Sequence, residues 1–262
     1  MSGKLYIGTN TKMFQTGSEA EEYIRQMDRL IDDIRDRLEF FFIPSFTSID
    51  RVVKAVGDRI RVGAQNMAWE ERGQFTGEVS PLMLEELGVR FVLLGHSERR
   101  HVFGETDGQL SKKIRCAADH GFTSLLCVGE TLEQKDSGNS RRAVREQLMA
   151  DAGCLAPEEA CGRLWIGYEP VWAIGTSGVP ASASYAEEMH LYIKDVLREM
   201  FGEASSEIPV LYGGSVNPQN APEIAAREGI DGLFIGRSAW VPERFNSIIR
   251  DVLPLFEQRK NR

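Results

Sequence analysis

Five short stretches of this chain place reactive or phosphate-binding groups where an apolar run ends. Asn10 and Lys12 follow KLYIGT, His96 and Glu98 follow FVLLG, and Glu169 follows LWIGY. Gly213, Gly214 and Ser215 follow IPVLY, and Gly236, Arg237 and Ser238 follow IDGLFI. A carboxylate is a weak base in water, but apolar neighbours strip its hydration and strengthen it. Glu169 precedes a proline and a run holding Trp172 and Ile174, surroundings that favour such burial. An imidazole gives and takes protons near neutral pH. Lys12 offers a cation for an anionic substrate, and glycine-rich turns offer backbone N–H groups to phosphate. Singly, each feature has a plainer reading. Lys12 reads as a solvated lysine, His96 as a structural histidine and the Gly-Gly-Ser stretch as a turn. Glu98, Arg99 and Arg100 read as a charge cluster at a helix start, with the arginines pairing to carboxylates near the rim. Together the plain readings require a coincidence of position at every one of these strand ends.

The elements that would position these residues are legible as short β-branched and aromatic runs. Strands are expected at 4–9, 38–43, 60–64, 89–94, 122–128, 164–168, 208–212 and 230–235. Helical patterns lie between most of them. Residues 18–38 place Ile24, Met27, Leu30, Ile31 and Ile34 on one stripe, with Ser18 as N-cap and Glu21 three residues on. Residues 107–121, 183–202 and 242–259 read the same way, the first ending at Gly121. The polar stretch 131–142 reads as a loop and a helix start. Strands buried on both faces and separated by amphipathic helices imply a parallel sheet. Eight such units predict an α/β fold, one (β/α)8 barrel domain over residues 1–262. A doubly wound open sheet competes, but no G-x-G-x-x-G follows the first strand. In a barrel, residues just past the C-terminal strand ends face a common mouth, so all five stretches would converge there.

Bulk properties narrow the function. Of 262 residues, 42% are hydrophobic and 27% charged, an ordinary globular balance. The net charge of −8 argues against a nucleic-acid or anionic-membrane surface, and an anionic substrate would need a local cation. Cys116, Cys127, Cys154 and Cys161 form no C-x-x-C pair and have no metal-ligand spacing, so reduced thiols and no metal are expected. The N-terminal apolar run is too short for a signal peptide and no segment has the apolar length of a membrane span, so a soluble cytoplasmic protein is expected.

The segments GHSERR (95–100), YEPVWAIGT (168–176) and YGGSV (212–216) resemble the signature segments of triosephosphate isomerases. GAQN (63–66), FTGE (75–78) and CVGET (127–131) agree and stand in the family's order. The resemblance implies Glu169 as the base that moves a proton between adjacent carbons. It implies His96 as the electrophile at the carbonyl oxygen, a pairing for which this family is itself the standard example. Lys12 would offset substrate charge, Asn10 would hydrogen-bond beside it, and Glu98 would support both. Residues 170–176 would form a lid, and Gly175, Ser215 and the Gly236 turn would hold phosphate. Residues 75–78 resemble the loop by which the family forms homodimers. No cofactor is implied. The implied activity is interconversion of dihydroxyacetone phosphate and glyceraldehyde 3-phosphate.

The chain departs from the family at Thr11, where tryptophan is usual, at Phe14, where asparagine is usual, and at Gly178, one place later than the hinge glycine expected. The largest departure is Arg237, at the second glycine of the last phosphate turn. Its backbone N–H could serve the phosphate with the side chain outward, or its guanidinium could reach a substrate oxygen. These changes bear on substrate more than on chemistry. They raise a second reading, isomerisation of four-carbon ketose phosphates (L-erythrulose 1-phosphate to D-erythrulose 4-phosphate) by the same proton shift. A barrel that only binds sugar phosphates is the alternative of another class, and it would need no base at position 169.

Overall fold

The computed structural model describes residues 3–174 and 178–260. Eight parallel strands form within it: β1 Leu5–Asn10, β2 Leu38–Ile43, β3 Arg61–Val62, β4 Phe91–Leu94, β5 Thr123–Val128, β6 Leu164–Tyr168, β7 Val210–Tyr212 and β8 Gly232–Ile235. They run in the order β3-β2-β1-β8-β7-β6-β5-β4. A parallel bridge between Ala64 and Val92 joins the two ends of that order and closes the barrel. Helices cross between successive strands, so the fold is the expected (β/α)8 barrel. Among the described residues no helix is long and apolar enough to cross a membrane.

The barrel interior is filled by large side chains: Phe41, Phe91, Trp165 and Phe234, with Leu93, Leu125 and Leu211. Glycines on neighbouring strands give these rings room. A Cβ on Gly8 would stand 2.4 Å from the Phe41 ring, and one on Gly63 2.7 Å from Phe91. The second apolar layer lies between strands and helices, where Leu5, Ile7, Val92 and Leu126 meet Ile24, Met27, Ile114 and Leu148.

The strand assignments hold, with β3 shortened to two residues. The first helix differs from expectation in two ways. Its cap is Thr16, not Ser18: Thr16 N–H donates to Glu19 at 2.8 Å while the Thr16 hydroxyl accepts from Glu19 N–H. Ser18 instead accepts a hydrogen bond from Arg51. The helix also stops at Leu30, and Asp32–Arg37 continues as a tighter 3-10 turn. The apolar stripe stays buried through this break at Ile31 and Ile34, which is why periodicity alone does not reveal it. The helix Asp107–Asp119 ends as read, with Gly121 in the left-handed region at φ 70°. The polar stretch after β5 folds into the short helix Leu132–Asp136 and the start of the helix Ser140–Ala152.

Candidate active site

The C-terminal strand ends surround a cavity of about 430 Å³. Asn10, Lys12, His96, Glu98, Glu169, Ser215, Gly236 and Arg237 all line it. The fold therefore brings together every predicted site residue except Gly175, which with Thr176 lies outside the described residues.

Lys12 is the only described non-glycine residue with positive φ, at 51°. That conformation costs roughly 1–2 kcal/mol and must be held by its surroundings. Two hydrogen bonds hold it. Lys12 N–H donates to Asn10 Oδ1 at 2.8 Å, and Gln65 Nε2 donates to the Lys12 carbonyl at 2.8 Å. Gln65 Nε2 also reaches Asn10 Oδ1 at 3.0 Å, which fixes the Asn10 amide with its NH₂ left to donate elsewhere. The strained turn swings the Lys12 ammonium across the mouth to Glu98, 2.7 Å away.

His96 caps the helix Ser97–His101, and its Nδ1 accepts from Glu98 N–H at 3.2 Å. An accepting Nδ1 carries no proton, so the ring hydrogen sits on Nε2. Nε2 lies 3.4 Å from Glu169 Oε1. Glu169 Oε2 accepts from Ser97 N–H at 3.2 Å. Both side chains are buried, at 6% exposure for His96 and 4% for Glu169. A carboxylate and an N–H-bearing imidazole thus face one small space, as a proton transfer between neighbouring carbon and oxygen atoms requires.

The backbone around Glu169 accounts for several glycines. A Cβ on Gly129 would lie 1.8 Å from the Glu169 carbonyl, and one on Gly213 2.9 Å from its Cγ. A Cβ on Gly214 would meet the Tyr212 hydroxyl at 2.3 Å. The Gly-Gly-Ser stretch is therefore more than a turn, since it makes room for the base and for a core tyrosine. Cys127 is buried beneath the carboxylate, and burial together with the Glu169 charge pushes its thiol well above the ordinary range. It stays protonated and is no rival nucleophile.

The two arginines after His96 are structural. Arg99 pairs with Glu105, while Arg100 holds Asp151 and Asp107 and donates to the Gly95 and Cys127 carbonyls. Among the described residues no group of three or more His, Cys, Asp or Glu side chains gathers to hold a metal.

Three groups in the site were not singled out from the sequence. Gln65 is one. The second is Glu130, a fully buried carboxylate just past β5. It accepts from Tyr168 Oη, Trp172 Nε1 and Tyr185 Oη, at 2.9, 2.8 and 2.8 Å. Burial, and next to it for Tyr168 the carboxylate charge, raises both phenols, Tyr185 to about 12, so both remain donors. The third is Trp240, whose ring lies 4.5 Å from that of Phe14 on the cavity wall while its Nε1 donates to the Asn10 carbonyl at 3.0 Å.

Comparison with known proteins extends this picture. A family model described as Triosephosphate isomerase matches residues 5–252. The chain is 43% identical over 249 residues to the L-erythrulose-1-phosphate isomerase of Rhizobium etli, covering 95% of this chain and 92% of that protein. It is 44% identical over 245 residues to the protein of the same name from Mesorhizobium japonicum, covering 93% and 95%. The Brucella abortus protein of that name is 41% identical over 247 residues, covering 94% and 95%.

Proposed function

The chain belongs to the triosephosphate isomerase family and is a sugar-phosphate isomerase, and we propose that its substrate is L-erythrulose 1-phosphate, converted to D-erythrulose 4-phosphate. The observation that carries this choice is the likeness, over more than nine-tenths of both chains, to proteins named for that tetrulose phosphate. It reverses the order in which sequence reading ranked the substrates, where dihydroxyacetone phosphate stood first. The altered rim at Thr11, Phe14 and Arg237 is in keeping with a substrate one hydroxymethyl group larger than a triose phosphate.

In this reading Glu169 removes the proton on C3 of the ketose phosphate. The C3–H electrons form a C2=C3 double bond, and the C2 carbonyl oxygen gains negative charge. His96 Nε2–H donates to that oxygen. The same carboxyl then returns a proton to C2, while His96 Nε2 passes its proton to the C2 oxygen and takes the proton of the C3 hydroxyl, so that C2 ends as the alcohol and C3 as the carbonyl. The step is redox-neutral within one molecule, so its chemistry calls for no cofactor. Burial of Glu169 supports it as the base, and the Nε2 proton supports His96 as the donor. Asn10 and Lys12 bind substrate oxygens, with Glu98 keeping the ammonium in place. Ser215 and the turn at Gly236 receive the phosphate, as Gly175 does in the family pattern. The direct check is turnover of this ketose phosphate beside dihydroxyacetone phosphate on one preparation.

The protein also acts as a homodimer in this reading. Six large apolar side chains are exposed on segments following β1, β3 and β4: Met13 at 94%, Phe14 at 68%, Phe75 at 42%, Met83 at 56%, Val102 at 70% and Phe103 at 71%. Apolar surface gathered on one side of a rim suits an interface. Sedimentation analysis is expected to give a two-chain species at micromolar concentration, and a one-chain species there would refute this assembly.

A further inference from the structure

The cavity has a charge problem that Lys12 does not solve. Four ionisable side chains of fixed charge line it: Lys12 and Arg237 as cations, Glu98 and Glu169 as anions. Lys12 is already paired with Glu98 at 2.7 Å. Glu169 must stay anionic to act as a base. A substrate phosphate dianion would enter a space whose net formal charge is zero, on a chain of net charge −8. Arg237 is the cavity cation with no carboxylate partner: its side chain makes no hydrogen bond or ion pair with any other described residue. Most other arginines of the chain are held in ion pairs, including Arg35, Arg61, Arg100, Arg115, Arg145 and Arg250.

The local backbone carries this side chain without strain. Arg237 starts the 3-10 turn Arg237–Ala239 directly after Gly236, and it is not among the residues of positive φ. A Cβ added at Gly236 would meet nothing within 4 Å, so the turn stands over open space. Below it the turn is anchored: Tyr23 Oη donates to the Ala239 carbonyl at 2.5 Å, and Trp240 donates to Asn10. Trp240 and Phe14 pack ring against ring on the cavity wall. A rigid base, an open front and an unpaired guanidinium meet at the strand end where the phosphate turn lies.

We infer that the Arg237 guanidinium is a direct ligand of the substrate phosphate, the cationic half of a site whose other half is the backbone of the Gly213–Ser215 and Gly236 turns. The planar fork presents paired N–H donors matched to two phosphate oxygens, which a lysine ammonium cannot reproduce. Arg237 therefore fixes the phosphate end of the ketose and sets which carbons lie against Glu169.

This rests on the reading of the cavity as a sugar-phosphate site, so the test uses inorganic phosphate, whose binding needs no turnover. Calorimetric titration at fixed ionic strength is expected to show phosphate binding weakened about 10- to 100-fold in both Arg237→Ala and Arg237→Gln, the range for loss of a charged hydrogen-bonding group. Arg237→Lys is expected to recover only part of the loss. Equal phosphate affinity in the parent and the two neutral variants would overturn the inference, as would a parent that binds no phosphate. Loss of phosphate binding in the variants of an enzyme that turns over neither ketose phosphate would sink the proposed substrate and leave Arg237 standing.

Discussion

Replacing Glu169 by glutamine is expected to lower kcat on the ketose phosphate by about 10²- to 10⁴-fold, the range for removing a positioned general base. Glutamine is nearly isosteric, and its oxygen can still accept from Ser97 N–H, as Glu169 does at 3.2 Å. The cradle of Gly129 and Gly213 stays filled, so the fold has no reason to respond. What is lost is the capacity to take a proton. Glu169→Asp asks the complementary question, because it keeps the base and withdraws it by roughly 1 Å or more, a misplacement that costs on the order of 10²-fold. The rates would be read with the thermal midpoint. A glutamine variant that is folded and within tenfold of the parent would remove Glu169 from the reaction.

Replacing Lys12 by alanine is expected to lower kcat/KM about 10²- to 10³-fold, in the range seen when one partner of a close charge pair is truncated. Two effects add. The substrate loses a cation at the mouth, and Glu98 loses the partner that now neutralises it at 2.7 Å. Glu98 then repels the incoming dianion. Alanine keeps the two backbone hydrogen bonds that hold the positive φ of 51°, so the fold should stand while the kinetics fall. Steady-state kinetics at two ionic strengths checks this. An unchanged kcat/KM would make Lys12 a surface lysine whose partner happens to line the cavity.

The barrel was readable because each strand is a short run of apolar, β-branched and aromatic residues bounded by polar or glycine-rich breaks. Once eight such runs are placed in parallel, their C-terminal ends must meet, and that topological fact brings Asn10, His96, Glu169 and Ser215 to one mouth. Other features depend on contacts between parts far apart in sequence. Glu130 stands just past the apolar run of β5, but its role rests on donors from positions 168, 172 and 185, which no local pattern shows. Gln65 acts through two atoms of a segment some fifty residues earlier. The cap at Thr16 lost to Ser18 in the sequence because both positions offer a hydroxyl with an acid three residues on, and only the entry of the chain into the helix decides between them. The role of Gly213 as room for Glu169 follows from packing between strands, which no turn signal encodes.

Substrate choice carries the account further than any single residue does, and a comparison of kcat/KM for L-erythrulose 1-phosphate and dihydroxyacetone phosphate on one enzyme preparation tests it most directly. The tetrulose phosphate is expected to be preferred by at least about tenfold, a margin of about 1.4 kcal/mol in transition-state binding, with D-erythrulose 4-phosphate as the product. A preference for dihydroxyacetone phosphate, or no turnover of L-erythrulose 1-phosphate, would contradict it.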